Sequence, residues 1–279
     1  MRSRPFPMPS LAALAVCGAD ARSFLQGQLS SDLAEVTAGR GQLSAWHDPK
    51  GRVLAVLRVL PWADGFLLVM PAALCEAIGK RMRMYVVRAS VQFADGPPIH
   101  GLAAEMAGEW LASRGLGVAD APLSAAAADG VAVLRLPGAA GWLVAGELNG
   151  GDTEHDPRAV GAWELAEIQA GIPEVYPQTS GQFVAQMLNL DRIGAVSFTK
   201  GCFPGQEIVA RAHHLGRVKR RARLFRAAGA PPVPGESLAD TAGTVVRAAA
   251  AADHCLVMAV VADDAAGPFT LADGRPLEP

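Results

Sequence analysis

Cysteine is scarce and scattered. Cys17, Cys75, Cys202 and Cys255 are the only four in 279 residues, and no two form a C-x-x-C pair. That excludes a disulfide framework and a zinc ribbon, and it suits a reducing compartment. Charge of one sign is lacking as well. The 25 Lys and Arg against 27 Asp and Glu leave a net charge of -2, which gives no global attraction to DNA or to an acidic membrane. Aromatics make up 6% of the chain, so its 51% hydrophobic content is carried mainly by alanine and aliphatic residues. There is no long apolar run. Leu11–Cys17 follows Arg2 and Arg4; at seven residues it is too short for a membrane span, and prolines 5, 7 and 9 interrupting the approach argue against a signal peptide. It reads as a strand, and the expected location is the cytoplasm. No internal repeat is visible.

What is present describes a globular chain at the upper edge of one domain, or two to three small ones. Leu11–Val16 predicts a strand, after which Asp20 caps a helix carrying Phe24, Leu25 and Leu29. Asp48-Pro49-Lys50-Gly51 is a turn signal between Leu43–Trp46 and Val53–Val59, which predicts a hairpin. Phe66–Met70 adds a strand, and Pro71 opens a helix with Leu74, Ile78, Met82 and Tyr85 at helical spacing. Ile99–Ala104 resumes strand, and the alanine-rich stretch 116–130 reads as a loop or insertion. Arg158–Ala170 predicts a helix stopped by Gly171 and Pro173. Residues 217–227 alternate basic and apolar as a strand, and the Pro/Gly-broken tail after it suits short antiparallel strands. The class is α+β, with residues 1–215 divided from a small C-terminal antiparallel β-barrel at 216–279.

One segment concentrates chemistry: Lys200-Gly201-Cys202-Phe203-Pro204-Gly205-Gln206-Glu207. Pro204 followed by Ile208-Val209-Ala210-Arg211-Ala212 predicts a helix start, with Cys202 just ahead of it and the Lys200 cation beside it. Both influences favour thiolate, and such surroundings lower a cysteine pKa from about 8.5 toward roughly 3.5–7.5. The bland alternative is a small inert core residue, the usual fate of a free cysteine.

The same residues carry a resemblance. Lys-Gly-Cys-aromatic-x-Gly-Gln-Glu resembles the signature of the YgfZ-type folate-binding proteins, relatives of the aminomethyltransferase (T-protein) of the glycine cleavage system. Phe24–Asp32, His47–Arg52, Gly171-Ile172-Pro173, Ser180–Phe183, Asn189-Leu190 and Arg211-Ala212 are similar to other segments of that family, so the likeness spans about residues 20 to 225. It implies a T-protein-like architecture, two intertwined subdomains around a central folate-holding channel. It also implies tetrahydrofolate or a derivative as cofactor and iron–sulfur enzymes, including tRNA-modifying ones, as clients.

For site residues the resemblance implies Cys202 as the functional thiol, and Trp163, Glu207, Gln206, Lys200 and Arg211 around the folate. An indole face can stack on a flat pterin, and a carboxylate accepts from the pterin's amino and ring N–H groups. Read without the resemblance, Trp163 is a core tryptophan, Gln206 caps a turn, Lys200 steadies the loop, and Glu164 and Glu167 form a solvated helix face. Some relatives have a second tryptophan near Leu11, which this chain lacks.

Arg217, Lys219, Arg220, Arg221, Arg223 and Arg226 form the strongest local charge feature. Alternation puts Arg217, Lys219, Arg221 and Arg223 on one strand face, opposite Val218, Ala222 and Leu224. Two readings stand. One is a contact for the folate glutamate tail, RNA or an acidic protein; the other is an exposed edge strand guarded by charge. His213-His214 and Cys202 match no standard metal spacing, so no metal site is expected, and His47 reads as a solvated turn residue.

The alternative function is one-carbon transfer. The T-protein relatives carry an Asn and a catalytic Asp in the segment corresponding to Val69–Ala77. Here Glu76 is the only carboxylate in it. That departure, with retention of the whole cysteine motif, favours a folate-binding accessory factor over an aminomethyltransferase. A cysteine hydrolase lacks a placed His and an oxyanion motif.

Overall fold

The structure is a computed structural model describing residues 4–279 apart from 140, 150, 152, 215, 217, 240 and 241. Its elements in chain order are β1 (Phe6–Pro7), β2 (Leu11–Cys17), α1 (Ala21–Gln26), β3 (Gln42–His47), β4 (Val53–Trp62), β5 (Gly65–Pro71), α2 (Ala72–Arg83), β6 (Gln92–Asp95) and β7 (Ile99–Leu102). There follow α3 (Ala107–Ser113), β8 (Ala125–Ala128), β9 (Val131–Arg135), β10 (Trp142–Gly146), α4 (Pro157–Gln169), α5 (Gln206–His214), β11 (Arg220–Ala227), β12 (Gly243–Ala250), β13 (Cys255–Ala262), β14 (Phe269–Thr270) and β15 (Pro276–Leu277).

Three antiparallel sheets organise the chain. The first runs β3-β4-β5-β2-β6 and the second β1-β7-β10-β9-β8. Leu60, Leu67, Val69, Ala13 and Ala15 of the first meet Leu134, Leu143, Ala132 and Ala145 of the second, and Trp163 of α4 enters the same cluster. The first sheet's other face carries Leu57, Val59, Leu68, Met70, Leu14 and Val16, packed with Leu74, Ile78 and Met82 of α2 and Leu25 of α1. Burial on both faces explains why β4 reads as an unbroken apolar run rather than an alternating one. Arg58 interrupts that run and is itself fully buried.

The third sheet, β11-β13-β12, closes the chain. One face contributes Ala222, Val246, Met258 and Val260 to the main core. The other, with Phe225, Val245, Val257 and Ala259, has a core of its own together with Phe269 and Leu277. β14–β15 joins β11 through the Arg226–Glu278 bridge. Among the described residues these strands form an open ladder plus a ribbon.

Several local expectations need correction. The stretch 116–130 contains β8, whose alanines pair with β9 in register; pairing across the sheet overrides alanine's weak strand preference. Asp20 occupies the α1 N-cap position without a capping bond; its Oδ2 accepts instead from the Ser90 amide at 2.7 Å. The helix expected after the cysteine motif is present from Gln206, with Pro204 in the turn that leads into it. α4 agrees with the sequence and shows why: Asp156 accepts from the Arg158 and Ala159 amides, Pro157 takes the first turn, and Gly171 at φ +73° ends the run.

Candidate functional site

The fold brings two distant motifs into contact. Gly205 of the cysteine segment packs on the β3–β4 turn so closely that a Cβ there would lie 2.5 Å from the Gly51 Cα and 2.6 Å from the Asp48 carbonyl oxygen. Gly205 also holds φ +77°, so glycine is required twice over. The turn is built to receive it: Asp48 Oδ1 accepts from the Lys50 and Arg52 amides at 2.9 and 2.8 Å. Phe203 tilts onto His47, with ring centroids 5.8 Å apart. His47 is therefore not a solvated turn residue. It is 1% exposed, neither ring nitrogen has a partner, and burial pushes its pKa down to about 4.

Lys200 anchors the other end of the segment. Its Nζ donates to the carbonyls of Gln26, Leu29 and Ser31 at 2.5, 2.6 and 3.1 Å, and burial pushes its pKa down to about 8. The cation expected to act on the thiol is committed to the exit of α1 instead. Cys202 itself is exposed. It borders an open groove of about 620 Å³ lined by Pro49, Tyr85, Phe203, Gln206 and Glu207. Glu207 pairs with Arg211 one turn on, at 3.2 Å, both side chains largely in solvent.

Trp163 lies elsewhere, 4% exposed among the side chains between the first two sheets, and its Nε1 has no partner. One turn along α4, Glu167 is buried, contrary to the solvated face expected of it. Arg58 donates to Glu167 Oε1 from Nε and Nη2 (3.0 and 2.5 Å) and to Glu174 Oε2 from Nη1 (2.8 Å). Arg247 of β12 reaches Glu167 Oε2 at 3.3 Å and the Ile172 carbonyl at 3.2 Å. Glu174 Oε1 and Arg247 Nε remain without partners. Burial pushes the Glu174 carboxyl up against the pull of Arg58, raises the half-buried Glu164, and lifts Tyr176 to about 12. This centre joins the first sheet, α4 and the third sheet. Sequence reasoning missed Arg58, Glu174 and Arg247, although a lone arginine inside the Val53–Leu60 run was a signal.

The basic stripe is divided between inward and outward side chains. Arg217 lies outside the described residues. Arg221 turns inward and clamps Asp191 through two bonds of 3.0 Å, with further bonds to Asn189 Oδ1 and the Gln186 carbonyl. Arg223 donates to the Ala265 carbonyl and lies over Phe225 and Phe269. Leu224, on the opposite face, is 38% exposed. Lys219, Arg220 and Arg226 are left outward. His213 stacks on Phe198 at 3.7 Å, and no cluster of metal-ligating side chains occurs among the described residues. No helix there is long and apolar enough to cross a membrane.

The fold matches that of a solved protein. Glycine cleavage system aminomethyltransferase T from Bartonella henselae superposes with a TM-score of 0.76 over 99% of this chain and 84% of that one, at 18% identity. No family model matches the sequence. Whole-chain relatives are more specific. The tRNA-modifying protein YgfZ of Edwardsiella ictaluri is 31% identical over 258 residues, 85% of this chain and 78% of that protein. Its namesake from Klebsiella pneumoniae is 30% identical over 274 residues, 90% and 82% respectively. The namesake from Colwellia psychrerythraea is 26% identical over 92% and 85%. The chain belongs to the YgfZ family.

Proposed function

We propose that the protein is a tetrahydrofolate-binding accessory factor. It supports assembly or repair of iron–sulfur enzymes, including tRNA-modifying ones, and Cys202 is its working thiol. The observation that carries the folate reading is a set of unpartnered buried atoms on α4 and on the ionic centre joined to it. Trp163 Nε1 and Arg247 Nε are donors and Glu174 Oε1 is an acceptor. Each costs about 1–3 kcal/mol while unsatisfied. The edge of a reduced pterin carries amino and ring N–H donors beside a carbonyl acceptor, so it complements such a set. The relatives named as tRNA-modifying and the fold shared with an aminomethyltransferase support the same reading.

Cys202 opens on a groove whose lining does not include Trp163, which favours separate binding and thiol functions. One-carbon transfer is less well supported. Glu76, the carboxylate of the segment that matters for it, pairs with Lys80 at 2.6 Å on the exposed side of α2.

Calorimetric titration of tetrahydrofolate into wild type and Trp163→Phe tests the first part. Phenylalanine keeps most of the buried ring bulk and removes the N–H, so affinity should fall by roughly 5- to 10-fold. No binding to folded wild type overturns the folate reading, and equal affinity removes the Trp163 N–H from the site. Cys202→Ala should bind tetrahydrofolate as wild type does yet fail to sustain an iron–sulfur tRNA-modifying enzyme; full complementation removes the thiol from the proposal.

A further inference from the structure

Exposed apolar side chains gather beside the thiol. Met84 is 72% exposed, Val87 84%, and Tyr85 and Ile208 each 38%. These are four of the six large exposed hydrophobics among the described residues, and the other two, Leu224 and Val233, belong to the C-terminal region. Tyr85 lines the Cys202 groove. Ile208 packs against the Gly51 turn next to Pro49, another lining residue. The patch is therefore continuous with the groove rather than scattered. Isolated exposed apolar residues need no explanation, but a gathered group rimmed by polar ones marks an interaction surface.

Its chemistry selects the occupant. Tyr85 is held edge-on against Trp46 at 5.9 Å and 85°, and the Arg81 guanidinium lies over the same indole at 5.7 Å. Tyr85 is thus a pre-positioned anchor, with little freedom left to lose on association. Lys50 and Arg88 are exposed, and among the described residues neither has an ion-pair partner. Glu207, the carboxylate of the groove, is already answered by Arg211. The rim is therefore positive and complements an acidic surface. Tyrosine, methionine and arginine are the residues that interface cores favour. Single-stranded RNA would call for successive stacking platforms, and of the four exposed side chains only Tyr85 is aromatic.

We propose that the α2 exit, with Met84, Tyr85, Val87 and Arg88, and the β3–β4 turn at Lys50 form a docking surface for a protein partner. The partner presents an apolar centre with an acidic rim and is seated so that it covers the Cys202 groove. The inference rests on the accessory-factor reading above and identifies the partner's contact as the surface beside the thiol.

Val87→Glu/Arg88→Glu tests it, because both side chains are exposed and the fold should be untouched. The probes are the purified iron–sulfur tRNA-modifying enzyme of the complementation assay, a tRNA transcript, and tetrahydrofolate. The expected result is at least a ~10-fold weaker complex with the enzyme, a wild-type complex that weakens as salt rises, and unchanged tetrahydrofolate affinity. Equal enzyme binding by wild type and variant, or no enzyme binding by either, overturns the docking surface. A variant that loses tRNA but keeps the enzyme also overturns it and makes RNA the occupant. Tetrahydrofolate binding by wild type reports separately on the parent reading, so failure of one is distinguishable from failure of the other.

Discussion

Lowering the pH from 8 to 5 should cost this protein about 2 kcal/mol of stability through His47 alone. The imidazole is 1% exposed and neither nitrogen has a partner, so nothing in its surroundings hydrogen-bonds a second proton. Burial takes its pKa from 6.5 to about 4, against a weaker upward pull from Asp48. Between those values the unfolded chain binds a proton that the folded chain refuses, so stability rises with pH. The contribution is complete above about pH 6.5, is lost as the pH falls, and saturates below about 4. With 1.36 kcal/mol per unit, the full loss is about 3 kcal/mol, of which about 2 is reached by pH 5. Urea unfolding of wild type and His47→Leu at pH 8, 6 and 5 isolates it, because carboxylates common to both cancel in the difference. At pH 8 the two should lie within about 1 kcal/mol, since leucine replaces an unpartnered polar ring with an apolar side chain. By pH 5 wild type should have lost about 2 kcal/mol more than the variant. Parallel loss in both proteins would refute the reasoning and assign acid sensitivity elsewhere.

Arg58→Met should cost about 3–5 kcal/mol at pH 7 in urea unfolding, because it leaves the buried carboxylates Glu167 and Glu174 without the cation between them. Adding Glu174→Gln should recover part of that loss; a single variant as stable as wild type would show that Arg247 alone balances the centre. Gly205→Ala should destabilise by at least about 2 kcal/mol, since φ +77° is strained for alanine and the new Cβ meets only backbone. It should also change the rate at which a thiol reagent modifies Cys202. An unchanged rate would mean that the Gly205–Gly51 contact does not set the loop.

Local chemistry was legible and long-range partnership was not. The β3–β4 hairpin could be read because Asp48, Pro49 and Gly51 determine their own turn, and α4 because its glycine stop lies within one turn of its end. Glu167 was misread because its partners Arg58 and Arg247 stand 109 and 80 residues away; helical spacing says which residues share a face but not what faces them. The basic strand failed in the same way. Alternation placed Arg221 and Arg223 on one face, yet gave no sign that both faces of the sheet are covered or of what meets each arginine. Asp191 and Asn189 hold the Arg221 guanidinium, and the Ala265 carbonyl takes Arg223. The contact between the cysteine segment and the hairpin turn was equally invisible, although both segments had been singled out. Their complementarity is a pair of glycines, and a glycine in sequence reports freedom rather than the neighbour that requires it.

The anchoring of the cysteine segment bears on how its thiol can act. Lys200 ties one side to three carbonyls around the end of α1, Phe203 is inserted against buried His47, and Gly205 is seated on Gly51. Three attachments within six residues leave Cys202 exposed on a backbone that is fixed on either side of it. A cysteine that had to approach a buried ligand would need the opposite arrangement, a loop free to fold inward. Trp163 Nε1, Glu174 Oε1 and Arg247 Nε, the unpartnered atoms proposed to meet the ligand, belong to residues that the groove lining does not include. The geometry therefore favours a thiol presented outward to a partner that comes to it, apart from the ligand site proposed at the buried centre. On that account, variants at the centre should change small-molecule affinity without altering Cys202 reactivity, and variants at the groove should do the reverse.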